Sequence, residues 1–175
     1  DLDAYTTYLK NQLAELLVNY GPLYVLWFDV PQLFDEKRGQ EVIDFVRQLQ
    51  PDIIVNNRSG AKGDYDTPEQ HVGEFNENRP FETCMTVADQ WGWKPDDDLT
   101  SFEQLMHILL RSAGGNGNFL LNIGPMGNGE FEKVQTDRLG EIGTWLERFG
   151  HTVYNTRGGP FLPTDWGVST HTGNR

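Results

Sequence analysis

The chain has 175 residues and a formal net charge of −12, and this acidic balance argues against nucleic acid or an anionic membrane as partner. Its one cysteine, Cys84, excludes an internal disulfide and a cysteine-based metal cluster. With 37% hydrophobic residues, the chain is long enough to bury the core of one ordinary domain.

The first third of the chain predicts a helix–strand–helix–strand unit. In order, the pattern gives a helix over residues 2–19, a buried strand over 23–29, a loop over 31–39, a helix over 40–49 and a buried strand over 53–58. Because a helix joins the two strands, we expect them to be parallel and adjacent. Asp29 and Arg58 close these strands, so both are expected at the carboxyl edge of the sheet, where α/β enzymes commonly place their chemistry.

The remaining chain continues this alternation. Its predicted elements are a polar loop over 59–79, a strand over 81–87, a loop with two tryptophans over 90–95, a helix over about 101–112, a strand over 119–125, a helix over about 131–149, a short strand over 152–155 and a linker over 157–160. This order is typical of parallel α/β architecture. Functional residues at successive strand ends favour half of a (β/α)8 barrel over a small open sheet.

Several common sites are not predicted. The glycine-rich turn over residues 114–117 follows a helix and precedes a strand, whereas a phosphate-binding loop follows a strand and opens a helix. The four histidines have no paired helical spacing, so no metal site is expected. A glycine-x-serine-x-glycine nucleophile motif does not occur in the sequence.

Carboxylates and tryptophans remain as candidates. Asp29 ends the first strand, Glu69 lies in the long loop and Glu82 lies in the third strand. Two neighbouring carboxylates can act as nucleophile and acid/base of a glycosidase, and tryptophans such as Trp27 and Trp91 offer a flat apolar surface to a sugar. Spacing alone slightly favours a structural alternative, in which the carboxylates cap turns or form ion pairs and the tryptophans belong to the core.

Six motifs, in one order along nearly the whole chain, resemble the α-L-fucosidases of glycoside hydrolase family 29. They lie at residues 19–29, 54–58, 63–70, 82–86, 90–93 and 120–125. The resemblance implies a retaining hydrolase that releases terminal α-linked L-fucose through a covalent intermediate, with no metal or organic cofactor. It also implies a (β/α)8-type barrel, of which residues 1–157 are the second half with four to five strands. Residues 158–175 are then a linker or the start of a following domain.

The resemblance also implies roles for individual residues. By position, Asp29 corresponds to the nucleophile, Trp27 and Arg58 to fucose contacts, and Trp91 to part of the wall facing the sugar. From the residue type alone, an arginine at a strand tip supplies fixed donors to hydroxyls or to a carboxylate.

The acid/base stays open between Glu69 and Glu82. We favour Glu69, because a mobile loop can carry an acid over the leaving group. The chain departs from many relatives at Val30, where glycine is frequent after the nucleophile, and at Phe81, where tryptophan is frequent before the second glutamate.

The resemblance implies a fucosylated glycan or a small fucoside as substrate and favours a secreted or periplasmic location. Relatives carry an N-terminal half-barrel that this sequence lacks, so we expect the chain to be a segment with little activity alone. Its expected partner is that missing half or a second copy. The alternative function is a non-catalytic sugar-binding protein or a truncated relative that needs its N-terminal half, and a third is a glycosidase for another sugar.

Overall fold

A computed structural model describes residues 1–29 and 33–173. Residues 30–32, which include Val30 and the start of the predicted loop, lie outside the described residues, as do the last two residues of the tail. The chain divides into two compact units, Asp1–Thr67 and Pro68–Arg175.

The first unit contains the predicted helix–strand–helix–strand order. Its elements are α1 (Leu2–Asn19), β1 (Val25–Leu26), α2 (Glu36–Leu49) and β2 (Ile54–Val55). Helix α1 has the predicted bounds, and the Asp1 carboxylate caps it by accepting from two backbone N–H groups. Helix α2 begins four residues before its predicted start at Gln40, because the Asp35 carboxylate caps it upstream of the first apolar turn.

Strands β1 and β2 are parallel, as predicted, with Val25 opposite Ile54 and Leu26 opposite Val55. Each strand is only two residues long, which is shorter than its apolar run. Leu26 and Val55 pack into a core with both helices, whereas Val25 and Ile54, on the opposite face, are 46% and 45% exposed. The core contains Leu13, Leu17, Leu26, Phe34, Val42, Ile43, Val46, Ile53, Val55 and Ala61.

The second unit is built on another parallel pair. Its elements are β3 (Glu82–Thr86), α3 (Phe102–Gly114), β4 (Asn118–Asn122), α4 (Lys133–Phe149), β5 (Arg157–Gly158) and β6 (Thr170–His171). The β3–β4 register runs from Glu82 opposite Asn118 to Thr86 opposite Asn122. Helices α3 and α4 cover this pair through a core of Val87, Ala88, Leu105, Met106 and Ile142. Among the described residues the named strands form two-stranded sheets, and the parallel pairs β1–β2 and β3–β4 support parallel α/β architecture.

The predicted short strand over residues 152–155 is wrong. Gly150–Thr152 instead form a 3-10 turn directly after α4, and Asn155 has a positive φ of 57°. The predicted linker over residues 157–160 contains β5, which pairs antiparallel with β6. A strand of two residues has no hydrophobic period, so the sequence carries no signal for it.

The described helices have no membrane-spanning candidate, since none is both long and apolar enough to cross a bilayer.

Candidate active site

Asp29 and Arg58 meet beyond the carboxyl ends of β1 and β2. Asp29 follows β1 by three residues and Arg58 follows β2 by three residues, so the parallel pairing brings both to the same edge. Arg58 lies in a 3-10 turn, Asn57–Ser59, which ends at Gly60 in the left-handed conformation. Its Nη1 donates to Asp29 Oδ1 at 3.1 Å. The two strand-end residues selected from the sequence therefore form one ion pair.

The guanidinium of Arg58 is held by a threonine and a tryptophan. Its Nε donates to Thr67 Oγ1 at 2.8 Å, and its Nη2 donates to Thr67 O at 3.2 Å. Its Cζ lies 4.5 Å from the centre of the Trp27 ring, within the range of a cation–π contact. The Arg58 side chain is only 20% exposed, whereas that of Asp29 is 62% exposed. The arrangement presents a fixed cation to a carboxylate that stays accessible from solvent.

Asn57 holds Thr67 through two hydrogen bonds, and neither residue was predicted from the sequence as part of the site. Asn57 Oδ1 accepts from the Thr67 N–H at 3.2 Å and from Thr67 Oγ1 at 2.8 Å. Asn57 Nδ2 donates to Asp66 Oδ1 at 3.1 Å. The polar tip after β2 was the available signal, but the bonding partners lie about ten residues further along the chain.

Replacing Thr67 with valine should destabilise the first unit. Valine keeps the volume but removes the acceptor of Arg58 Nε and one donor to Asn57 Oδ1. Because Thr67 is buried, we expect the free energy of unfolding to fall by about 1–3 kcal/mol, measured by urea denaturation. Thr7→Val on the exposed face of α1 is the matched control, with an expected change within about 0.5 kcal/mol. Equal losses in both variants would contradict the anchoring role.

Glu69 and Glu82 occupy different levels of the second unit. Glu69 pairs with Cys84 in a parallel bridge at the middle of β3. The next residue, Gln70, donates from its side chain to Thr86 Oγ1 at 3.1 Å, at the carboxyl end of β3. Glu82 is the first residue of β3 and lies opposite Asn118, the first residue of β4. Glu69 is therefore nearer the carboxyl edge of this sheet, and Glu82 lies at its amino edge.

Trp91 lies in the loop that follows the carboxyl end of β3. An antiparallel bridge between Ala88 and Leu99 closes the base of this loop, and Trp91 is 39% exposed. The loop packs closely against the segment after β4, because a Cβ on Gly124 would lie 2.4 Å from the backbone nitrogen of Trp93. The loop predicted from its two tryptophans is thus an ordered element at the carboxyl edge.

Asp97 stabilises this loop through two hydrogen bonds within it. Its carboxylate accepts from Lys94 Nζ at 2.8 Å and from the Gln90 N–H at 2.9 Å, and its side chain is 3% exposed. The hydrogen bond from Lys94 is the main cause that lowers the pKa of Asp97 below its usual value. The same bond raises the pKa of Lys94.

The stabilising effect of Asp97 should disappear in acid. A carboxyl whose pKa is lowered by folding stabilises the protein above its unfolded-state pKa, and this contribution is lost as the pH falls through the lowered value. The unfolding free energy of wild type should therefore exceed that of Asp97→Asn at about pH 7, and the gap should shrink below about pH 4. Urea denaturation at several pH values measures this gap. A gap that does not change with pH would contradict the prediction, and Asp52→Asn in an exposed turn is the control.

Within the described part of the chain, no group of three or more His, Cys, Asp and Glu side chains is placed to hold a metal ion. Cofactor-free chemistry stays a prediction.

The chain is similar to known proteins over most of its length. The family model Alpha-L-fucosidase matches residues 2–151. The alpha-L-fucosidase of Dictyostelium discoideum is 26% identical over 162 residues, which cover 85% of this chain and 35% of that protein. Alpha-L-fucosidase isoenzyme 1 from Paenibacillus thiaminolyticus superposes with a TM-score of 0.88 at 34% identity, over 99% of this chain and 46% of that one.

A family 29 alpha-L-fucosidase from Bacteroides thetaiotaomicron, trapped as a covalent intermediate with 2-fluoro-fucosyl fluoride, has a TM-score of 0.85 at 24% identity, covering 99% of this chain and 46% of that one. This likeness concerns the fold. The chain spans about a third of the length of the curated relatives it matches. The family resemblance read from the six motifs is confirmed, and the chain belongs to the alpha-L-fucosidase family.

Proposed function

We propose that the polypeptide containing this chain is a retaining glycosidase that releases terminal α-linked L-fucose from glycans or small fucosides. The observation that carries the proposal is the cluster of Asp29, Arg58 and Trp27 at the carboxyl edge of β1–β2. This cluster occurs within the region that the fucosidase family model matches. Because the chain spans about a third of its curated relatives, the activity is assigned to the polypeptide rather than to these residues alone.

In the proposed reaction, an Asp29 oxygen attacks the anomeric carbon while the acid/base protonates the leaving-group oxygen, whose bond to that carbon breaks. The product is a fucosyl ester of Asp29. The same acid/base, now ionised, then takes a proton from water, whose oxygen attacks the anomeric carbon and releases Asp29. The two carboxyl groups must lie about 5 Å apart for this mechanism. The covalent intermediate trapped in the Bacteroides relative supports a retaining mechanism for the family.

Arg58 orients the proposed nucleophile. Its contacts with Thr67 and Trp27 hold the guanidinium still, so that the bond to Asp29 Oδ1 restricts rotation of the carboxylate. Preorganisation of this kind lowers the barrier, because little reorganisation is left for the moment of reaction. We assign the half-buried indole of Trp27 and the exposed indole of Trp91 to contacts with the sugar.

We propose Glu69 as the acid/base and keep Glu82 as the alternative. In (β/α)8 barrels the catalytic groups come from the carboxyl ends of the strands and the loops that follow them. Glu69 lies along the middle of β3, and its neighbour Gln70 reaches the carboxyl-terminal residue Thr86. Glu82, at the amino end of β3, is about 13 Å from that edge at the usual rise per residue of a strand.

We propose that the catalytic domain is a (β/α)8-type barrel, with residues 1–157 as its second half and residues 158–175 as a linker or the start of a following domain. The parallel pairs β1–β2 and β3–β4 support this architecture. Val25 and Ile54 are about half exposed, as expected for positions that face a barrel interior. The partner that would cover them is the N-terminal half or a second copy. The isolated chain is therefore expected to be weakly active or inactive.

Hydrolysis of a chromogenic α-L-fucoside tests the proposal. The longest natural polypeptide that contains this sequence should release the chromophore, and proton NMR should show α-fucose as the first product. Fucose binding without release, unchanged by Asp29→Ala, would support the sugar-binding alternative instead. Stronger competition by another sugar than by L-fucose would support a glycosidase of different specificity.

A further inference from the structure

Asn56 is a fully buried amide next to the proposed nucleophile. Its side chain has 0% exposure. Its Oδ1 accepts from the Phe28 N–H at 2.8 Å, and its Nδ2 donates to Phe28 O at 2.8 Å. Phe28 directly precedes Asp29 in the sequence. The Asn56 side chain thus bonds both backbone polar groups of Phe28, the residue directly before the proposed nucleophile.

These two bonds replace a backbone ladder that has ended. The last register pair of β1 and β2 is Leu26 with Val55, after which the second chain turns into the 3-10 segment Asn57–Ser59. In a parallel pair of strands, every second residue bonds to the neighbouring strand through both its N–H and its C=O. An asparagine side chain carries one donor group and one acceptor, as a peptide unit does, so Asn56 can serve both groups of Phe28.

We infer that Asn56 is a positioning residue that extends the β1–β2 ladder with its side chain and thereby holds Asp29 in place. The catalytic consequence rests on the proposed function of Asp29. Because the Asn56 side chain continues the ladder, the two backbones can take different paths beyond the strands. The backbone after β2 leaves the sheet and presents Arg58, while the backbone after β1 stays extended and presents Asp29. Without the amide, the Phe28 backbone would lose both of these bonds, and the segment that carries Asp29 would be held less firmly.

Hydrogen exchange tests the ladder directly, in the longest natural polypeptide that contains this sequence. In Asn56→Ala, exchange in the peptide covering residues 24–29 should be at least about tenfold faster than in wild type, because the Phe28 N–H has lost its acceptor. Val46→Ala is the matched control. It removes buried volume from the same core but makes no bond to Phe28, so it should not speed exchange there beyond any general loss of stability. Equal acceleration in both variants would overturn the inference.

Kinetics on a chromogenic α-L-fucoside test the consequence for Asp29. Asn56→Ala should lower kcat by about 100-fold, as expected for a misplaced reacting group, with KM changed by less than about threefold. Asn56→Asp keeps the shape and the acceptor but has no donor for Phe28 O when ionised, so it should also lose activity. Val46→Ala should keep its kcat.

The outcomes separate the inference from the proposed function. An Asn56→Asp variant with wild-type kcat would show that the donor to Phe28 O is not needed to hold Asp29, and it would overturn the inference of a two-bond extension. Faster exchange in Asn56→Ala without a loss of kcat would also overturn it. If wild type hydrolyses no fucoside, the proposed function fails, and the exchange experiment alone decides whether Asn56 holds the Phe28 backbone.

Discussion

Replacing Asp29 with alanine should lower kcat/KM for an α-L-fucoside by about 10⁴-fold or more in the longest natural polypeptide that contains this sequence. Without the carboxylate no glycosyl ester can form, and the remaining binding contacts supply only a small part of the rate enhancement. The Arg58 guanidinium would also lose the acceptor at Asp29 Oδ1. Steady-state kinetics on a chromogenic fucoside measure this loss.

A small anion should rescue Asp29→Ala in part, and an exposed carboxylate of the same unit provides the control. A small anion such as azide fits the space left by the carboxylate, so Asp29→Ala should regain part of its activity and form a fucosyl azide of inverted configuration. Asp52→Ala, which removes an exposed carboxylate from a turn of the same unit, should keep wild-type activity. A fully active Asp29→Ala enzyme would remove the nucleophile role and the retaining mechanism built on it.

Glu69→Gln should have the second-largest effect. Loss of a general acid costs about 10²–10⁴-fold, and the loss is greatest when the leaving group needs a proton. The variant should therefore be most impaired on natural fucosyl linkages and least impaired in the first step with an activated aryl fucoside. The alkaline limb of its pH–rate profile should disappear, because that limb reports deprotonation of the acid.

Glu82→Gln is the matched comparison for this experiment. Both substitutions exchange a carboxyl for an amide of the same shape, but Glu82 lies at the amino end of β3 and Glu69 pairs with its middle. We expect Glu82→Gln to keep its alkaline limb. The opposite pattern would transfer the acid/base role to Glu82, and two unaffected variants would exclude both residues.

Local signals in the sequence were sufficient to predict where most of the helices lie. Helix α1 has its predicted bounds because Asp1 caps its start and Gly21-Pro22 prevents its continuation. The predicted start of helix α2 lies four residues too far along the chain. The apolar stripe begins only after the first turn of the helix, whereas the Asp35 cap directly precedes that turn. The short strand at 152–155 was wrong because a few β-branched and aromatic residues also suit a turn.

The candidate site was only partly predictable. Asp29 and Arg58 were identified because each lies at the end of a predicted strand, and parallel pairing of the two strands brings their ends together. The bonds that hold them were not predicted. Thr67 reaches Arg58 and Asn56 reaches Phe28 across gaps of 9 and 28 residues, and sequence periodicity describes only neighbours within a few positions.

The sequence by itself determined the alternation of helices and strands, the family and the residues at strand ends, because these depend on local propensity and on ordered motifs. The tertiary structure alone decided that an asparagine side chain continues the ladder toward Asp29. It also decided that Glu69 and Glu82 lie at different levels along β3. The physical reason is that strand register and side-chain hydrogen bonds form between segments distant in the chain, and no local pattern encodes which partners meet.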